Sequence, residues 1–374
     1  MPRDGNMMRH ASLQDLDTLV EIENKAFATD RFSRRSFRYL LTRAKAETLV
    51  YILNDKMIGY VMLLFHSGIS MARLYSLALD PDSRGKGIGR ELMQAAEQTA
   101  LSHDCIILRL EVRADNTSAI RLYQQQGYRQ FDKTPDYYED HMEALRFEKR
   151  LQPSLKPDLK RVPYYRQTLD FTCGPATLMM AMKALDPAVA LDRKLELRLW
   201  RESTTIYMTS GHGGCGPYGL ALAAYRHGFD VEIYVNEEGV MFIDSVRNQD
   251  KKEVMRLVQE DFTESLQQLP VDLHYGALDV TDLQEKFNAG GIPIVLISSY
   301  RIYHEKFPHW VVVTGFDEKY IYVHDSYIDS KGDKTELDTS DMPILKKDFE
   351  LMARYGKAGQ RAVLILKKRS NTKQ

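Results

Sequence analysis

The apolar positions of the first 150 residues change period several times. After Ser12, with Asp15 three residues on as its capping partner, Leu13, Leu16, Leu19, Val20 and Ile22 hold helical spacing to about Phe27. A second helix is expected from Ser33. Residues 48–53 and 57–64, joined by Asn54-Asp55, predict an antiparallel hairpin, and residues 75–79 a further strand that stops at Asp80-Pro81. Leu92, Met93, Ala96 and Ala100 then mark a helix over 88–103. That helix returns the chain to residues 106–112, a strand that a crossover connection lays parallel to the previous one. Asn116 caps a helix through Ala119, Leu122 and Tyr123, which Gly127 ends, and residues 137–146 alternate enough to close the sheet.

Residues 151–159 break the pattern, with Pro153 and Pro157 among charged and polar neighbours, and predict a semi-rigid linker between domains at 7–150 and 160–369. Beyond it, Leu178, Met179, Met182 and Leu185 keep helical spacing behind Cys173. A glycine-rich loop at 211–219 leads into a helix with Leu220, Leu222, Ala223 and Ala224. Thr281 with Gln284 opens a short helix, residues 292–297 form a buried strand, and residues 308–317 and 320–326 form two strands around a short turn. Residues 361–366 supply the last strand.

Two domains also follow from length, since 374 residues exceed one ordinary core. The 51 Lys+Arg and 52 Asp+Glu nearly cancel, and they do so in each half of the chain, which excludes the basic excess needed for non-specific nucleic-acid binding. Cys105, Cys173 and Cys215 show no metal-type pairing, and His212 beside Cys215 lacks further ligands, so neither a metal nor a disulfide framework is expected. With no signal-peptide core and no run of eighteen apolar residues, the expectation is a cytoplasmic protein without a membrane span.

The first chemistry lies at Arg84-Gly85-Lys86-Gly87-Ile88-Gly89-Arg90. Alternate glycines clear the backbone for a ligand, the next helix points unpaired N–H groups at the same space, and Arg84 and Lys86 add charge, which together make a diphosphate cradle. The segment resembles the coenzyme A pyrophosphate loop of the GNAT acetyltransferases. Leu110-Glu111-Val112-Arg113, Asn116, Ala119, Leu122-Tyr123 and Gly127-Tyr128 further resemble the bacterial enzymes of that family that acetylate protein N-termini. The resemblance implies acetyl-CoA as cosubstrate, held by the strand Leu77-Ala78-Leu79, the loop Arg84 to Arg90 and Asn116. It also implies Glu111 as acceptor of the amine proton and Tyr123 as proton donor to the sulfur.

The second chemistry is Cys173 at the mouth of a helix, where the N-terminal dipole favours a thiolate and Pro175 opens the turn. In a hairpin centred near Glu318, Val311 faces Asp325, and His309 lies diagonally from that acid on one face. The ensemble resembles the papain-like peptidases that remove double-glycine leaders. The resemblance implies Cys173 as nucleophile, His309 as base, Asp325 as its orienter and Gln167, six residues before the cysteine, as oxyanion donor. His304 is the rival base. Thr172 stands where the exporter-linked members of that group carry aspartate.

The expected protein is therefore α/β (α+β) in two domains: a GNAT mixed sheet flanked by helices, then a papain-like α+β cysteine peptidase. Its expected partners are acetyl-CoA and a peptide or protein, without nucleic acid. Two alternatives stay open: a peptidase-like domain that only binds peptide or regulates, and a transferase acting on small amines.

Overall fold

In the computed structural model, which describes residues 6–204, 213–329 and 334–369, the chain divides between Ser154 and Leu155 into two units, each built on its own sheet. The first runs β1 (Asn6–His10), α1 (Leu16–Ala26), α2 (Arg34–Thr42), β2 (Ala46–Leu53), β3 (Lys56–Phe65), β4 (Met71–Leu79), α3 (Ile88–Ser102), β5 (Ile107–Arg113), α4 (Thr117–Gln125), β6 (Arg129–Thr134) and β7 (Ala144–Arg150). Its strand order is β1-β2-β3-β4-β5-β7-β6, antiparallel except for β4 beside β5. The caps are local. Ser12 and Asp15 form a capping box on a short 3-10 turn that leads into α1, and Asn116 Oδ1 accepts from the Ala119 amide at 3.1 Å.

Leu92, Met93, Ala96 and Ala100 of α3 pack against Leu108 and Leu110, while Leu16, Leu19 and Phe37 cover the other face over Tyr60 and Met62. Each such side chain contributes about 1.5–3 kcal/mol on burial. The β3–β4 register slips between Met62 and Leu63, so Tyr75 is an extra residue that bends β4. One expectation changes here. Residues 137–143 do not belong to the sheet but connect β6 to β7, turning through Asp136 and His141 at positive φ, and two strands rather than one close the sheet.

The second unit runs β8 (Asp158–Leu159), α5 (Cys173–Leu185), α6 (Arg193–Ser203), α7 (Pro217–Arg226), β9 (Phe229–Val235), α8 (Gln249–Gln267), β10 (Asp272–Tyr275), α9 (Val280–Asn288), β11 (Ile292–Ser298), α10 (Tyr300–Tyr303), β12 (Pro308–Phe316), β13 (Tyr320–Asp325), β14 (Met342–Leu345), α11 (Lys346–Met352) and β15 (Ala362–Lys368). The strand order is β10-β9-β15-β11-β12-β13-β14, with β8 paired to β12. Leu178 and Met179 of α5 and Leu220 and Leu222 of α7 pack on Ile294, Leu296, Trp310 and Val312. The stretch expected as linker ends inside this sheet, because Asp158 and Leu159 pair with Phe316 and Gly315. A Cβ at Gly315 would strike the Asp158 carbonyl, so glycine is what admits β8. The helix expected from Thr281 starts instead on a capping box of Asp279 and Asp282. Among the described residues no helix is long and apolar enough to cross a membrane, and no group of three or more His, Cys, Asp or Glu could hold a metal ion.

Two candidate active sites

In the first unit, the bend in β4 opens a cleft of ≈ 820 Å³, continuous with solvent, lined among others by Glu23, Tyr75, Ser76, Glu111 and Tyr123. Glu111 and Tyr123 thus share one cavity. Burial raises the Tyr123 phenol to about 12, so it keeps its proton. Glu111 is not a lone carboxylate: Arg73 reaches its Oε2 through Nε at 2.9 Å and Nη2 at 2.8 Å, and the two side chains are 4% and 5% exposed. Arg73 also donates to the Tyr137 hydroxyl at 3.1 Å.

Glu23, which the sequence reading passed over, is 1% exposed. Its Oε1 accepts from the Phe32 amide at 2.9 Å and its Oε2 from the Tyr60 hydroxyl, which in turn meets Ser76 Oγ at 2.9 Å. Burial raises the Glu23 carboxyl despite those bonds. A signal existed: position 23 falls on the buried stripe of α1 with Leu16, Leu19 and Ile22.

Gly85 and Gly87 lie at φ 77° and 83°, and a Cβ on either would meet nothing within 4 Å. Gly87 caps α3, whose first N–H groups have no intrahelical acceptor. Gly89 differs, since a Cβ there would press on Leu122 Cδ2 at 3.2 Å; it serves helix packing. Lys86 bonds the Asp82 carbonyl at 3.0 Å, Arg84 reaches the Ala26 carbonyl at 3.5 Å, and Arg90 is exposed on the first turn of α3. Leu77 and Asn116 line the cleft, Leu79 packs on the α3 side, and Ala78 and Ile88 turn into the cores, leaving only their backbones to face a ligand.

In the second unit, α5 places Cys173 at its first position, half-buried, and β12 and β13 carry the other groups. Val311 pairs with Asp325 in the register read from the sequence. His309 Nε2 meets Asp325 Oδ1 at 2.6 Å, and Cys173 is near enough to the ring to raise its pKa. Burial disfavours the imidazolium, yet Asp325 and then Cys173 outweigh it and raise His309 to about 10; burial likewise works against the Asp325 carboxylate, but His309 and then Tyr303 hold it below the usual carboxylate range. Asp325 is saturated: the Tyr327 amide donates to Oδ1 at 2.8 Å and the Tyr303 hydroxyl to Oδ2 at 2.6 Å. His304, the rival, sits exposed at the C-cap of α10 with φ 57°.

Gln167 is pinned on both ends of its amide, accepting from Ser326 Oγ at 2.8 Å and donating to the Leu169 carbonyl at 2.8 Å. Its second N–H is the one an oxyanion could use. Thr172 Oγ1 donates to Glu196 of α6, a fully buried carboxylate that also takes the Thr168 amide and hydroxyl and the Tyr165 hydroxyl. A carboxylate therefore does stand behind the cysteine turn, supplied from α6 instead of from position 172. Cys215 is buried, and burial pushes its thiol up to about 12. Of the glycine-rich loop, residues 211 and 212 lie outside the described residues; Gly213 accepts from Trp200 Nε1 at 2.8 Å.

Residues 162–367 match the Peptidase_C39 like family, and residues 16–128 match the Acetyltransferase (GNAT) family. An uncharacterised N-acetyltransferase of Methanocaldococcus jannaschii is 30% identical over 41% of this chain and 96% of its own length. A ribosomal-protein-alanine N-acetyltransferase of Salmonella typhimurium is 28% identical over 37% of this chain and 94% of its own. The crystal structure of the Escherichia coli ribosomal-protein-alanine N-acetyltransferase aligns with 25% identity and a TM-score of 0.37, covering 39% of this chain and 94% of that one.

Proposed function

Because the chain belongs to the Peptidase_C39 like family and carries a GNAT acetyltransferase domain ahead of that unit, we propose a bifunctional enzyme that cuts a peptide with a cysteine nucleophile and acetylates an α-amine from acetyl-CoA. The observation that carries the hydrolytic half is the buried His309 imidazole bonded to Asp325, with Cys173 near enough to influence its charge. In this reading Cys173 attacks the carbonyl, His309 takes and later returns the proton, and Asp325 fixes the ring. The Cys173 amide and the free N–H of Gln167 receive the oxyanion.

For the transferase half, the open glycines Gly85 and Gly87 at the start of α3 fit a diphosphate, and the cleft beside them holds Glu111 and Tyr123. The cosubstrate supplies an acetyl group activated as a thioester. Tyr123 holds a proton at its hydroxyl for the departing sulfur, and Glu111, charge-matched by Arg73, orients the amine. The acceptor is a peptide or protein α-amine, by likeness to the ribosomal-protein-alanine relatives.

The two reactions are complementary, since hydrolysis of a peptide bond makes a fresh α-amine. The test is to find a peptide the protein cleaves, add acetyl-CoA, and read the new N-terminus by mass spectrometry. Cys173→Ala should acetylate a pre-cut fragment but leave the intact peptide whole, and Gly87→Val should cut and leave the amine free. Fragments that stay unacetylated with wild-type protein and saturating acetyl-CoA would end the serial reading.

A further inference from the structure

Glu111 and Glu23 are the two nearly buried carboxylates lining the transferase cleft, and they are held in opposite ways. Glu111 faces a guanidinium at ion-pair distance. Giving it a proton would break that pair and leave a cation in a place from which water is excluded. Glu23 makes no ion pair among the described residues. Its neighbours are the Phe32 amide, the Tyr60 hydroxyl and, more distantly, the Arg31 charge. Burial already favours its protonated form.

The bonds around Glu23 form a line. Ser76 of β4 borders the cleft, its Oγ lies 2.9 Å from the Tyr60 hydroxyl of β3, and that hydroxyl bonds Glu23 Oε2 on α1. Three hydroxyl or carboxyl groups from three elements thus form a line whose ends, Ser76 and Glu23, border the cleft and whose middle, Tyr60, lies in the core of the α1–α2 face. Neither a packing role nor the capping of α1 needs such a line, since Phe32 alone occupies Oε1.

We propose that the proton lost by the acceptor amine leaves through Ser76 and Tyr60 to Glu23, which is the terminal base, while Glu111 holds and orients the amine. As nitrogen bonds the acetyl carbon, its N–H bond breaks and the proton joins Ser76 Oγ. Ser76 passes its own proton to the Tyr60 oxygen, and Tyr60 passes its proton to Glu23 Oε2. One proton has moved from nitrogen to carboxylate, both hydroxyls are restored, and no electron leaves the set. The role suits Glu23 because burial raises its carboxyl, and a carboxylate of higher pKa is the stronger base.

The proposal rests on the acetyltransferase reading, and wild-type turnover on a peptide α-amine is the control for that reading. Glu23→Gln keeps an acceptor for the Phe32 amide but cannot take a proton, and Tyr60→Phe cuts the line without touching Glu23. Both should lower kcat by roughly 10²–10⁴-fold near neutral pH with the acceptor KM unchanged, and the loss should shrink as pH rises and solvent hydroxide takes the proton instead. Glu111→Gln should instead raise the acceptor KM. In the ligand-free protein, a carbon-13 titration of glutamate carboxyls should show one group titrating above the rest, absent from Glu23→Gln. Glu23→Gln and Tyr60→Phe at wild-type kcat across the pH range would overturn the relay while leaving the transferase standing. A wild-type protein that acetylates no α-amine would remove both together.

Discussion

The Tyr303 hydroxyl donates to Asp325 Oδ2 at 2.6 Å, and this ties the tyrosine to the carboxylate that His309 also bonds. Asp325 has no exposure, so each of its oxygens depends on protein donors. Tyr303→Phe removes a hydrogen bond to a charged group, worth about 1.5–3 kcal/mol. We expect peptide-cleavage kcat to fall about tenfold or more with KM little changed. Steady-state kinetics on a cleaved peptide checks this, and an unchanged kcat would reduce Tyr303 to packing.

The His309–Asp325 pair also fixes a pH window. His309 rises from 6.5 to about 10 on folding, so its contribution is complete below about pH 6.5 and is lost as pH climbs towards 10. Asp325 is lowered from 3.8, so its contribution is present above that value and is lost in acid. Both tryptophans, Trp200 and Trp310, lie in the second unit, so their fluorescence follows that unit. We expect its melting temperature to fall between pH 6.5 and 10, and Asp325→Asn to flatten that fall. A wild-type profile flat over this range would contradict the pairing.

The two kinds of glycine in the cradle should separate by assay. Gly87→Val puts a side chain into open space at φ 83°, where an L-residue is strained by about 1–2 kcal/mol, and it fills the site proposed for the diphosphate. Calorimetry should show steeply weaker acetyl-CoA binding with cleavage intact. Gly89→Ala presses on Leu122 instead, so its main cost should appear as a lower melting temperature of the first unit.

The three thiols should label at different rates. Burial, with Asp104 adding to it, pushes Cys105 up to about 12, and burial does the same for Cys215. Cys173 is half-buried and close enough to His309 to raise that imidazole. Iodoacetamide followed by peptide mapping should find Cys173 modified first. Comparable labelling of Cys215 would break the assignment of the nucleophile.

Local signals made part of this legible in advance. The Val311–Asp325 register could be read because a short turn fixes a hairpin, and the irregularity between Val313 and Gly315 falls on the turn side of that pair. Helix α8 was not read, since nineteen largely polar residues bury only Met255, Phe262 and Leu266. Glu23, Arg73 and Glu196 escaped for another reason. Each is a charged residue at a buried position, and such a residue explains itself only through its partners; those of Glu196 lie between 24 and 31 positions back, on the turn before Cys173. Sequence spacing carries no record of such encounters.

Strand β15 is the last in chain order, yet it sits in the interior of the second sheet, with β9 on one side and β11 on the other. On the ribosome the first unit, contiguous and N-terminal, can fold while the rest is still being made. The second cannot close its sheet until residue 368 has emerged, and until then His309 and Asp325 have no settled place beside Cys173. Translation order thus sets the first unit before the arrangement of Cys173, His309 and Asp325 can settle in the second.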